Sequence, residues 1–391
     1  CINTLIFAIS ATDDPTGSWY VYAFADNSFF VDYQKIAIWH NAYFGTSNDF
    51  NTTGTSYFGS SIYAFERSKM LNGDPTAVAI RSRLTHSTGR YFSMAPVTQE
   101  GPLPSSLSGQ FAFYQNDTWT VDPADVDSLY TFEFAPNFTT PASSVISTPT
   151  QMAIAAFDDD LCAATRERCI PQQGSAIQLE ALTGRIMNKV NFRKFPSYES
   201  MVLSATVDAN GSGLAGIRWW ELRRTSGTWS VFQEGTYAPD ANHRFMGSIT
   251  QDAKGNIGLI YNVSGNAEHP SIRFTARNPC DPLGTMTGTE LTIMDGTAAN
   301  ASNRYGDYNS VSIDPSDNLT FWLTGMYNTA TSWSTRMASF TLDDCTPSPK
   351  VRFQTSAVTV REQDANVSAG CLNYKDYTVN VIIDAAPSAD A

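Results

Sequence analysis

Apolar and polar residues alternate in short runs along most of the chain, and this period of two predicts β-strands separated by polar turns. In the second half, a Ser-x-Thr/Ser-x-Asp pattern occurs three times, and each copy leads through a polar turn into an apolar strand. The three copies span residues 204–208, 248–252 and 310–314, and the strands that follow their turns are predicted at 214–221, 257–263 and 319–324. After the first of these strands, two more are predicted at 229–232 and 233–237. A repeat of strand, tight turn, strand, loop and strand over roughly 45–60 residues is typical of a propeller blade. The repeat therefore predicts the architecture, whereas it says little about chemistry.

The N-terminal half carries the same repeat in weaker form. Strands are predicted at residues 5–10, 18–24, 35–40, 42–48, 61–67, 111–116 and 129–134. With the three clear copies this makes six repeats, so we predict an all-β fold: a six-bladed, alternatively seven-bladed, β-propeller over residues 1–345. The first repeat lacks an innermost strand, which upstream sequence or residues 350–354 could supply, because an open blade leaves strand edges unpaired.

Two segments depart from the repeat. Residues from about 135 to 184 are predicted to be an irregular insertion with a small disulfide loop and one helical turn at 177–182. Residues 346–391 are predicted to be a linker and the first strands of a β-sandwich domain, at 351–360 and 373–383. Both ends of the sequence look cut, so we interpret the chain as part of a longer extracellular protein.

Composition narrows the class of protein. Of 391 residues, 16% are charged and 12% are aromatic, with many Ser, Thr, Asn and Gly residues, which is typical of secreted β-rich proteins. The net charge of −13 argues against nucleic-acid binding, and no apolar run is long enough to span a membrane. We expect an extracellular or cell-surface location, with other domains of the same chain, copies of itself or glycans as partners.

Six cysteines suggest disulfides. Cys162 and Cys169 lie close together in one polar loop and are predicted to be bonded. Cys345 could pair with Cys280 or with Cys371, and the partner of Cys1 is open. Eight Asn-x-Ser/Thr sequons would carry glycans if the source has a eukaryotic-type secretory route. They lie at Asn51, Asn116, Asn137, Asn210, Asn262, Asn300, Asn318 and Asn366.

Several longer motifs carry a resemblance to a known group of proteins. They lie at residues 14–18, 63–70, 216–223, 233–240, 243–249, 269–273, 281–286 and 304–308. With these motifs, residues 5–345 resemble a family of large secreted bacterial proteins. The resemblance implies a propeller-like region that continues into sandwich repeats of the Calx-β or PKD kind, and residues 374–381 resemble the start of such a repeat.

The position just before each innermost strand gives the candidate binding site. If blades repeat by rotation, these positions converge around the central channel. The candidates are Tyr33, Glu199, His243, Arg244, Arg304, Asp307 and Tyr308. Such a ring could bind a sugar, an anion or a metal, or its charges could pair and tie the blades together. We expect Arg304 or Arg244 to form a salt bridge with Glu199 or Asp307.

Other acidic residues have simpler interpretations. Asp208, Asp252 and Asp314 end the three repeat copies and resemble the Asp-box turn of sialidase-like propellers, so we expect them to accept hydrogen bonds from turn N–H groups. Asp122, Asp125 and Asp127 are weak Ca²⁺ candidates, as are residues 158–160, because Ca²⁺ prefers clustered oxygen ligands. No other cofactor is predicted.

The sequence contains no recognisable catalytic constellation. Arginine, tyrosine and acidic residues of the types that a sialidase needs are present, but the Arg-Ile-Pro motif near its start is missing. These residues are Arg218, Glu221, Arg244, Arg273, Arg304, Asp307 and Tyr308. There is no Gly-x-Ser-x-Gly elbow and no nucleotide fingerprint. We therefore interpret the chain as a non-enzymatic propeller module for adhesion, scaffolding or assembly. The alternative is a carbohydrate-binding or glycoside-hydrolysing, sialidase-like propeller.

Overall fold

The computed structural model describes residues 4–25, 29–85, 91–119, 126–162, 167–329, 332–342, 345, 351–354, 356–360 and 381–385. Within these residues the chain is all-β. One α-helix, α1, spans Arg67–Leu71, and two 3-10 helices span Asp117–Trp119 and Pro141–Ser143. No helix in the described ranges is long and apolar enough to cross a membrane.

The strands account for most of the described residues. In chain order they are β1 (Thr4–Ser10), β2 (Trp19–Ala25), β3 (Phe30–Ile38), β4 (Tyr43–Phe50), β5 (Tyr57–Phe65), β6 (Ala79–Leu84), β7 (Ala95–Glu100), β8 (Gly109–Gln115), β9 (Ser128–Ala135), β10 (Val145–Ile146), β11 (Thr150–Ala153), β12 (Arg168–Gln172), β13 (Ser175–Glu180), β14 (Val190–Lys194), β15 (Glu199–Asp208), β16 (Ala215–Arg224), β17 (Ser230–Tyr237), β18 (His243–Gln251), β19 (Ile257–Gly265), β20 (Glu268–Arg277), β21 (Leu291–Met294), β22 (Ser310–Ile313), β23 (Phe321–Thr329), β24 (Ser332–Leu342), β25 (Val351–Gln354), β26 (Ser356–Val360) and β27 (Val381–Ala385).

The chain divides into two compact units. Unit 1 comprises Cys1–Ala156, Gly184–Met201 and Arg223–Val231, and unit 2 comprises Phe157–Thr183, Val202–Leu222 and Phe232–Ala391. In unit 1, β3 to β6 form a four-stranded sheet in chain order, and β9 pairs with β8, β10 and β11. In unit 2, β18 to β21 and β22 to β25 form two further four-stranded sheets in chain order. Strands β15, β16 and β17 contribute residues to both units.

The Asp of each repeat copy closes the turn that follows it, as the sequence predicts. Asp208 Oδ1 accepts hydrogen bonds from the backbone N–H groups of Asn210 (3.1 Å) and Gly211 (2.9 Å). Asp252 and Asp314 likewise accept the N–H group two residues further on, at 2.9 and 2.8 Å. These carboxylates are acceptors for turn donors, which is a structural role.

Hydroxyl groups of the repeat link the strands that carry successive copies in unit 2. Thr206 Oγ1 in β15 accepts a hydrogen bond from Met246 N in β18 at 3.2 Å. Ser248 Oγ in β18 accepts one from Val311 N in β22 at 3.1 Å. Because unpaired buried N–H groups are costly, these bonds fix the register between neighbouring sheets.

Apolar faces pack between the last two sheets of unit 2. Phe274 of β20 lies against Phe340 of β24 with ring centroids 3.9 Å apart, and Phe340 stacks on Phe321 at 4.9 Å. All three rings are buried together with Ile272 and Val311. Each fully buried side chain of this size stabilises the fold by about 1.5–3 kcal/mol, so this cluster holds the two sheets together.

Three sequence predictions about strands are wrong. Residues 177–182 do not form a helical turn: β13 pairs antiparallel with β12, because Gly174 at φ +70° closes a hairpin turn between them. Residues 229–237 were expected to hold two strands but form the single strand β17. Residues 351–354 are neither an inner strand of the first repeat nor a sandwich strand, since β25 pairs with β24.

Two disulfides lie in the described residues. Cys162 and Cys169 are bonded with a Cα–Cα distance of 6.5 Å, as predicted. Cys280 pairs with Cys345 at 5.9 Å, which decides between the alternatives left open by the sequence. Cys1 and Cys371 lie outside the described residues. Most of the predicted sandwich segment also lies outside them, and its described strands β26 and β27 form an antiparallel pair.

Candidate functional site

Unit 1 contains a pocket of about 190 Å³ lined by both polar and apolar groups. Its lining comes from β8, β9, the segment that leads into β11, and the turn between β16 and β17. The lining residues are Gln110, Thr131, Phe132, Glu133, Ser147, Thr148, Thr150, Arg224, Gly227, Thr228 and Trp229. Buried side chains form the floor, whereas exposed Ser and Thr residues form most of the rim.

Strand pairing explains how the rim meets the floor. Strand β11 pairs with β9 so that Thr150 lies opposite Thr131. The backbone N–H of Glu133 donates to Ser147 Oγ, and the N–H of Ser147 donates to the carbonyl oxygen of Glu133, both at 2.9 Å. The segment before β11 is thereby fixed beside the Glu133 carboxylate.

Arg224 is the central group of the pocket. Its Nε donates to Glu199 Oε2 at 2.7 Å, and its NH1 donates to Glu133 Oε1 at 3.2 Å. The guanidinium carbon lies 4.5 Å from the centre of the Trp229 ring, a cation–π contact that holds the side chain in place. The side chain of Arg224 is 9% exposed, so one preorganised guanidinium joins two carboxylates.

Glu199 is held as a carboxylate. Burial alone would raise the pKa of Glu199. The backbone N–H of Ser105 donates to Oε1 at 2.5 Å, and the Arg224 guanidinium lies beside the carboxylate. Together these two donors outweigh burial and lower the pKa of Glu199. Its side chain is only 6% exposed. Because its oxygens already accept strong donors, we assign Glu199 the role of orienting Arg224.

Glu133 is the accessible carboxylate. Its side chain is 35% exposed. Oε1 accepts a hydrogen bond from Gln110 Nε2 at 2.8 Å, and Oε2 accepts one from Ser106 Oγ at 3.2 Å. Gln110 in turn accepts the Trp229 indole N–H at 3.3 Å. A chain of hydrogen bonds thus fixes Glu133 while leaving part of it open to the pocket.

The pocket is suited to binding a molecule with several hydroxyl groups. Glu133 offers acceptors, Arg224 offers donors, and the rim hydroxyls can do both. Hydrolysis of a glycoside needs two carboxylates on either side of the scissile bond. Here both carboxylates are held by the same guanidinium, and Glu199 has its oxygens occupied, so the geometry favours binding over hydrolysis.

The predicted channel residues of unit 2 lie in two separate ion-pair networks. Arg244 is buried and pairs with Asp240, four residues earlier in the turn before β18, and with Glu290 at 2.9 Å. Arg304 forms the expected salt bridge with Asp307 at 2.5 Å. The Arg304 network also includes the buried Glu180, at 3.4 Å. The predicted salt bridge is therefore formed by Arg304, whereas Arg244 pairs with carboxylates outside the predicted set.

The other residues of the prediction have individual environments. His243 Nδ1 accepts the N–H of Ala215 at 3.2 Å, and burial lowers the pKa of this histidine. Tyr308 is exposed. In unit 1, Glu199 belongs to the pocket and Tyr33 is buried in β3. Convergence of the whole set on one channel stays a prediction.

The residues of the sialidase-like set are engaged within unit 2. Arg218 pairs with Glu234 at 2.6 Å, and Arg273 pairs with Glu268 at 2.5 Å. Glu221 is buried and accepts the side-chain amide of Gln233 at 2.5 Å. A cluster of arginines offered to a substrate carboxylate would need open guanidinium edges, so these contacts do not favour a sialidase-like site.

The predicted Ca²⁺ candidates fall partly outside the described residues. Asp127 is buried and accepts the backbone N–H of Asp117 at 2.9 Å. Asp122 and Asp125 lie outside the described ranges. Within the part of the chain that the structure describes, no three His, Cys, Asp or Glu residues are grouped so that they could hold a metal ion.

Of the seven predicted sequons that the structure describes, three lie in the interior; Asn366 lies outside the described residues. Asn116, Asn262 and Asn300 are at most 6% exposed. Asn262, for example, donates through Nδ2 to the carbonyl oxygen of Ser271 at 3.1 Å. The folded chain therefore cannot carry glycans at these three positions.

Sequence reasoning missed most of the pocket. Glu133 and Arg224 are separated by 91 positions in the sequence. No local motif marks either residue, and only the pairing of distant strands brings them together. Glu199 was found because it precedes a repeat strand.

Comparison with known proteins gives structural matches alone. No family model matches the chain, and no curated protein matches it. A Penicillium chrysogenum α-L-arabinanase complexed with arabinobiose aligns at 11% identity and a TM-score of 0.41, covering 78% of this chain and 77% of that one. A Fusarium graminearum α-L-arabinofuranosidase of family GH93 in complex with arabinobiose aligns at 12% identity and a TM-score of 0.41, and the alignment covers 84% of this chain and 87% of that one. A Dyadobacter fermentans protein of unknown function aligns at 11% identity and a TM-score of 0.44, and the alignment covers 85% of this chain and 86% of that one.

The first functional interpretation is corrected by this comparison. A non-enzymatic adhesion or scaffolding module was expected. The aligned structures whose descriptions state an activity are instead carbohydrate-active enzymes, which agrees better with the alternative. Those activities belong to those proteins.

Proposed function

We propose that the chain is a carbohydrate-binding β-propeller whose pocket at Glu133 and Arg224 takes a neutral sugar residue. The observation that carries the proposal is the Arg224–Glu133 pair, at 3.2 Å, which lines a cavity of about 190 Å³ with hydroxyl groups on its rim. Sugars are recognised by such networks of donors and acceptors held in fixed orientation.

The charge of the pocket favours a neutral sugar. Two carboxylates, Glu133 and Glu199, share the single positive charge of Arg224. A ligand carboxylate placed here would meet more negative than positive charge, and like charges repel at short range. Hydroxyl groups carry no such penalty.

The propeller part of the proposal is supported by sheet order and by the repeat. Sheets β3–β6, β18–β21 and β22–β25 each run in chain order, as blades do. In unit 2, hydroxyls of the repeat join the strand that carries one copy to the strand that carries the next, β15 to β18 and β18 to β22. The blade count of six and the following sandwich repeat remain predictions.

The disulfides support an extracellular location. Both described cystine bridges would be reduced in a typical cytosol, whereas secreted and cell-surface proteins keep them. This location agrees with the resemblance to large secreted bacterial proteins, which likewise stays a proposal.

Calorimetric titration with a panel of neutral mono- and oligosaccharides, arabinobiose included, tests the binding site. We expect at least one to bind, and Glu133→Gln or Arg224→Ala to weaken that binding at least tenfold, about 1.4 kcal/mol. Arg223→Ala is the matched control, because this neighbouring arginine lies over the Tyr198 ring at 4.1 Å and does not line the pocket.

Two results would overturn the proposal. One is that no neutral sugar binds at about 10 mM, a concentration that detects even weak sites. The other is that folded Glu133→Gln binds as tightly as the unchanged chain. Release of reducing sugar from the bound oligosaccharide, lost in Glu133→Gln, would instead identify the pocket as hydrolytic.

A further inference from the structure

Unit 1 also contains a larger groove, of about 490 Å³, beside the hairpin of β1 and β2. Its lining consists of six consecutive residues of β2, from Trp19 to Phe24, together with Gly73, Pro75 and Ala77 from the segment after α1. Successive side chains of a strand point to opposite faces of its sheet. A groove lined by every residue of such a run therefore follows the edge of β2 and not one of its faces.

This edge of β2 has free backbone groups. Strand β2 pairs antiparallel with β1. Just beyond the paired residues, the N–H of Ala11 donates to the carbonyl oxygen of Ser18 at 2.9 Å. Hydrogen-bonded and non-hydrogen-bonded pairs alternate along an antiparallel ladder. The N–H and C=O groups of Trp19, Val21 and Ala23 therefore point away from β1, towards the groove.

The sheet of this hairpin has fewer strands than its neighbours. Within the described residues, β1 and β2 pair only with each other, whereas β3–β6, β18–β21 and β22–β25 form sheets of four strands. One face of the hairpin packs on unit 1, where Tyr22 is buried with Phe65 and Met70. On the other face Trp19 is 46% and Val21 57% exposed. An exposed strand edge with unpaired N–H and C=O groups is a template for a further strand.

We propose that this groove binds an extended segment of a separate polypeptide, which adds a third strand to the hairpin at β2. The six lining residues of β2 span about 20 Å, which matches a segment of about five or six residues. In such strand addition, main-chain hydrogen bonds provide the affinity and alternate side chains provide the specificity.

The lining favours a polypeptide over a sugar or a second copy of this chain. Among the described residues that line the groove, none has a charged or amide side chain. The Tyr22 hydroxyl already donates to the carbonyl oxygen of Met70 at 3.1 Å. The groups left for a ligand are mainly those of the backbone, which another backbone pairs in regular alternation. Gly73 and Pro75 line the groove beside β2, so a single strand fits between, whereas the folded edge of a second copy meets them.

Nearby charges favour a basic segment. Asp74 lies in the loop that lines the groove, and Asp13 and Asp14 lie in the turn that leads into β2. Lys69 of α1 already pairs with Glu66 at 3.2 Å. Complementary charge at the rim of an interface speeds association and selects partners. We therefore expect a segment with apolar residues at alternate positions and Lys or Arg at its ends.

Synthetic peptides test the groove. The probe alternates Val and Thr between two terminal lysines (Lys-Val-Thr-Val-Thr-Val-Lys), and its binding to the full chain is followed by NMR or calorimetry. We expect a Kd of about 1 mM or tighter. Two further versions carry N-methyl groups on one or the other set of alternate amides. Because only the set that faces β2 donates to it, one version should bind as the probe does and the other at least tenfold more weakly.

Substitutions at a register pair locate the binding. Val21→Pro removes one N–H that faces the groove and should weaken peptide binding at least tenfold. Ala8→Pro is the matched control, because Ala8 lies opposite Val21 and its N–H points to the far edge of β1. Val21→Thr keeps the N–H and should bind the peptide as the unchanged chain does. Glu133→Gln should also leave this binding unchanged, since the groove and the sugar pocket share no residue.

The proposal is wrong if the probe does not bind at about 10 mM, or if both methylated versions bind equally. It is also wrong if Val21→Pro, with an unchanged circular dichroism spectrum, binds the probe as the unchanged chain does. If galactose binds in place of the peptide and Trp19→Ala abolishes that binding, the groove is a sugar site. If the chain sediments as a dimer that Val21→Pro dissociates, the groove is a contact between copies.

Discussion

Arg224 holds two carboxylates with one guanidinium, and this arrangement gives the two acids different roles. Glu199 is nearly buried, with strong donors on both oxygens. Glu133 keeps about a third of its side chain exposed. The division could not be read from the sequence, where both are single glutamates without a local motif. Glu199 was identified by its place before a repeat strand, whereas Glu133 and Arg224 have no such marker.

The lowered pKa of Glu199 predicts how stability depends on pH. A carboxylate whose pKa is lower in the folded than in the unfolded state contributes stability above the unfolded value, near 4.5, and that contribution is lost as pH falls through the folded value. Glu199→Gln should therefore destabilise the chain at pH 7 by about 1–3 kcal/mol, and by less at pH 3.5.

Urea unfolding of both proteins at the two pH values measures this difference. Asp13→Asn is the control, because Asp13 is an exposed acid whose replacement should leave stability unchanged at either pH. A destabilisation by Glu199→Gln that stays constant, or grows, on acidification would contradict the assignment of Glu199 as an ionised partner of Arg224.

Among the secondary-structure elements, most correct strand predictions came from period-two alternation and from turn residues. Strand β19 was predicted at 257–263 and observed at Ile257–Gly265, because an Asp-led turn precedes a run of apolar residues. The failures have physical reasons. The spacing of two between Ile177 and Leu179 fits a strand, whereas the spacing of three between Leu179 and Leu182 fits a helix, and the hairpin turn at Gly174 decides for the strand. Strand β25 pairs antiparallel with the strand just before it, β24, and no residue pattern within 351–354 marks that pairing.

The hydroxyls of the repeat allow a matched test of how neighbouring sheets are joined. Ser248 and Ser204 occupy the same position in two copies, and both are buried. Ser248 Oγ accepts the N–H of Val311, whereas Ser204 Oγ has no hydrogen-bond partner among the described residues. Ser248→Ala should lower the free energy of unfolding by about 1–3 kcal/mol, because it leaves a buried N–H unpaired.

Ser204→Ala should change the free energy of unfolding by about 0.5 kcal/mol or less, since no bond is lost. Chemical denaturation of both variants against the unchanged chain measures the contrast. Equal destabilisation by the two substitutions would show that these hydroxyls act by packing alone and do not link the strands that carry successive copies through hydrogen bonds.

For the molecule as a whole, net charge and disulfide bonds have opposite effects on the stability of the folded state. A charge of −13 at pH 7 disfavours the compact state through self-repulsion while keeping the protein soluble. Disulfides favour the compact state by restricting the unfolded chain. The sequence predicted one of the two described bridges and left the other open, because pairing across 65 residues depends on which strand ends meet in the fold.

The two bridges should stabilise the molecule unequally. The Cys280–Cys345 bridge closes a loop with a sequence separation of 65, and the Cys162–Cys169 bridge one of 7. Restricting the longer loop removes more unfolded-state entropy, so we expect about 4 kcal/mol from the first bridge and about 2 kcal/mol from the second. The paired variants Cys280→Ser/Cys345→Ser and Cys162→Ser/Cys169→Ser, compared by guanidinium denaturation without reductant, measure this order. If the 162–169 pair of substitutions lowers the free energy of unfolding more than the 280–345 pair does, chain entropy does not set the order. The short bridge would then stabilise unit 2 through contacts in the folded state.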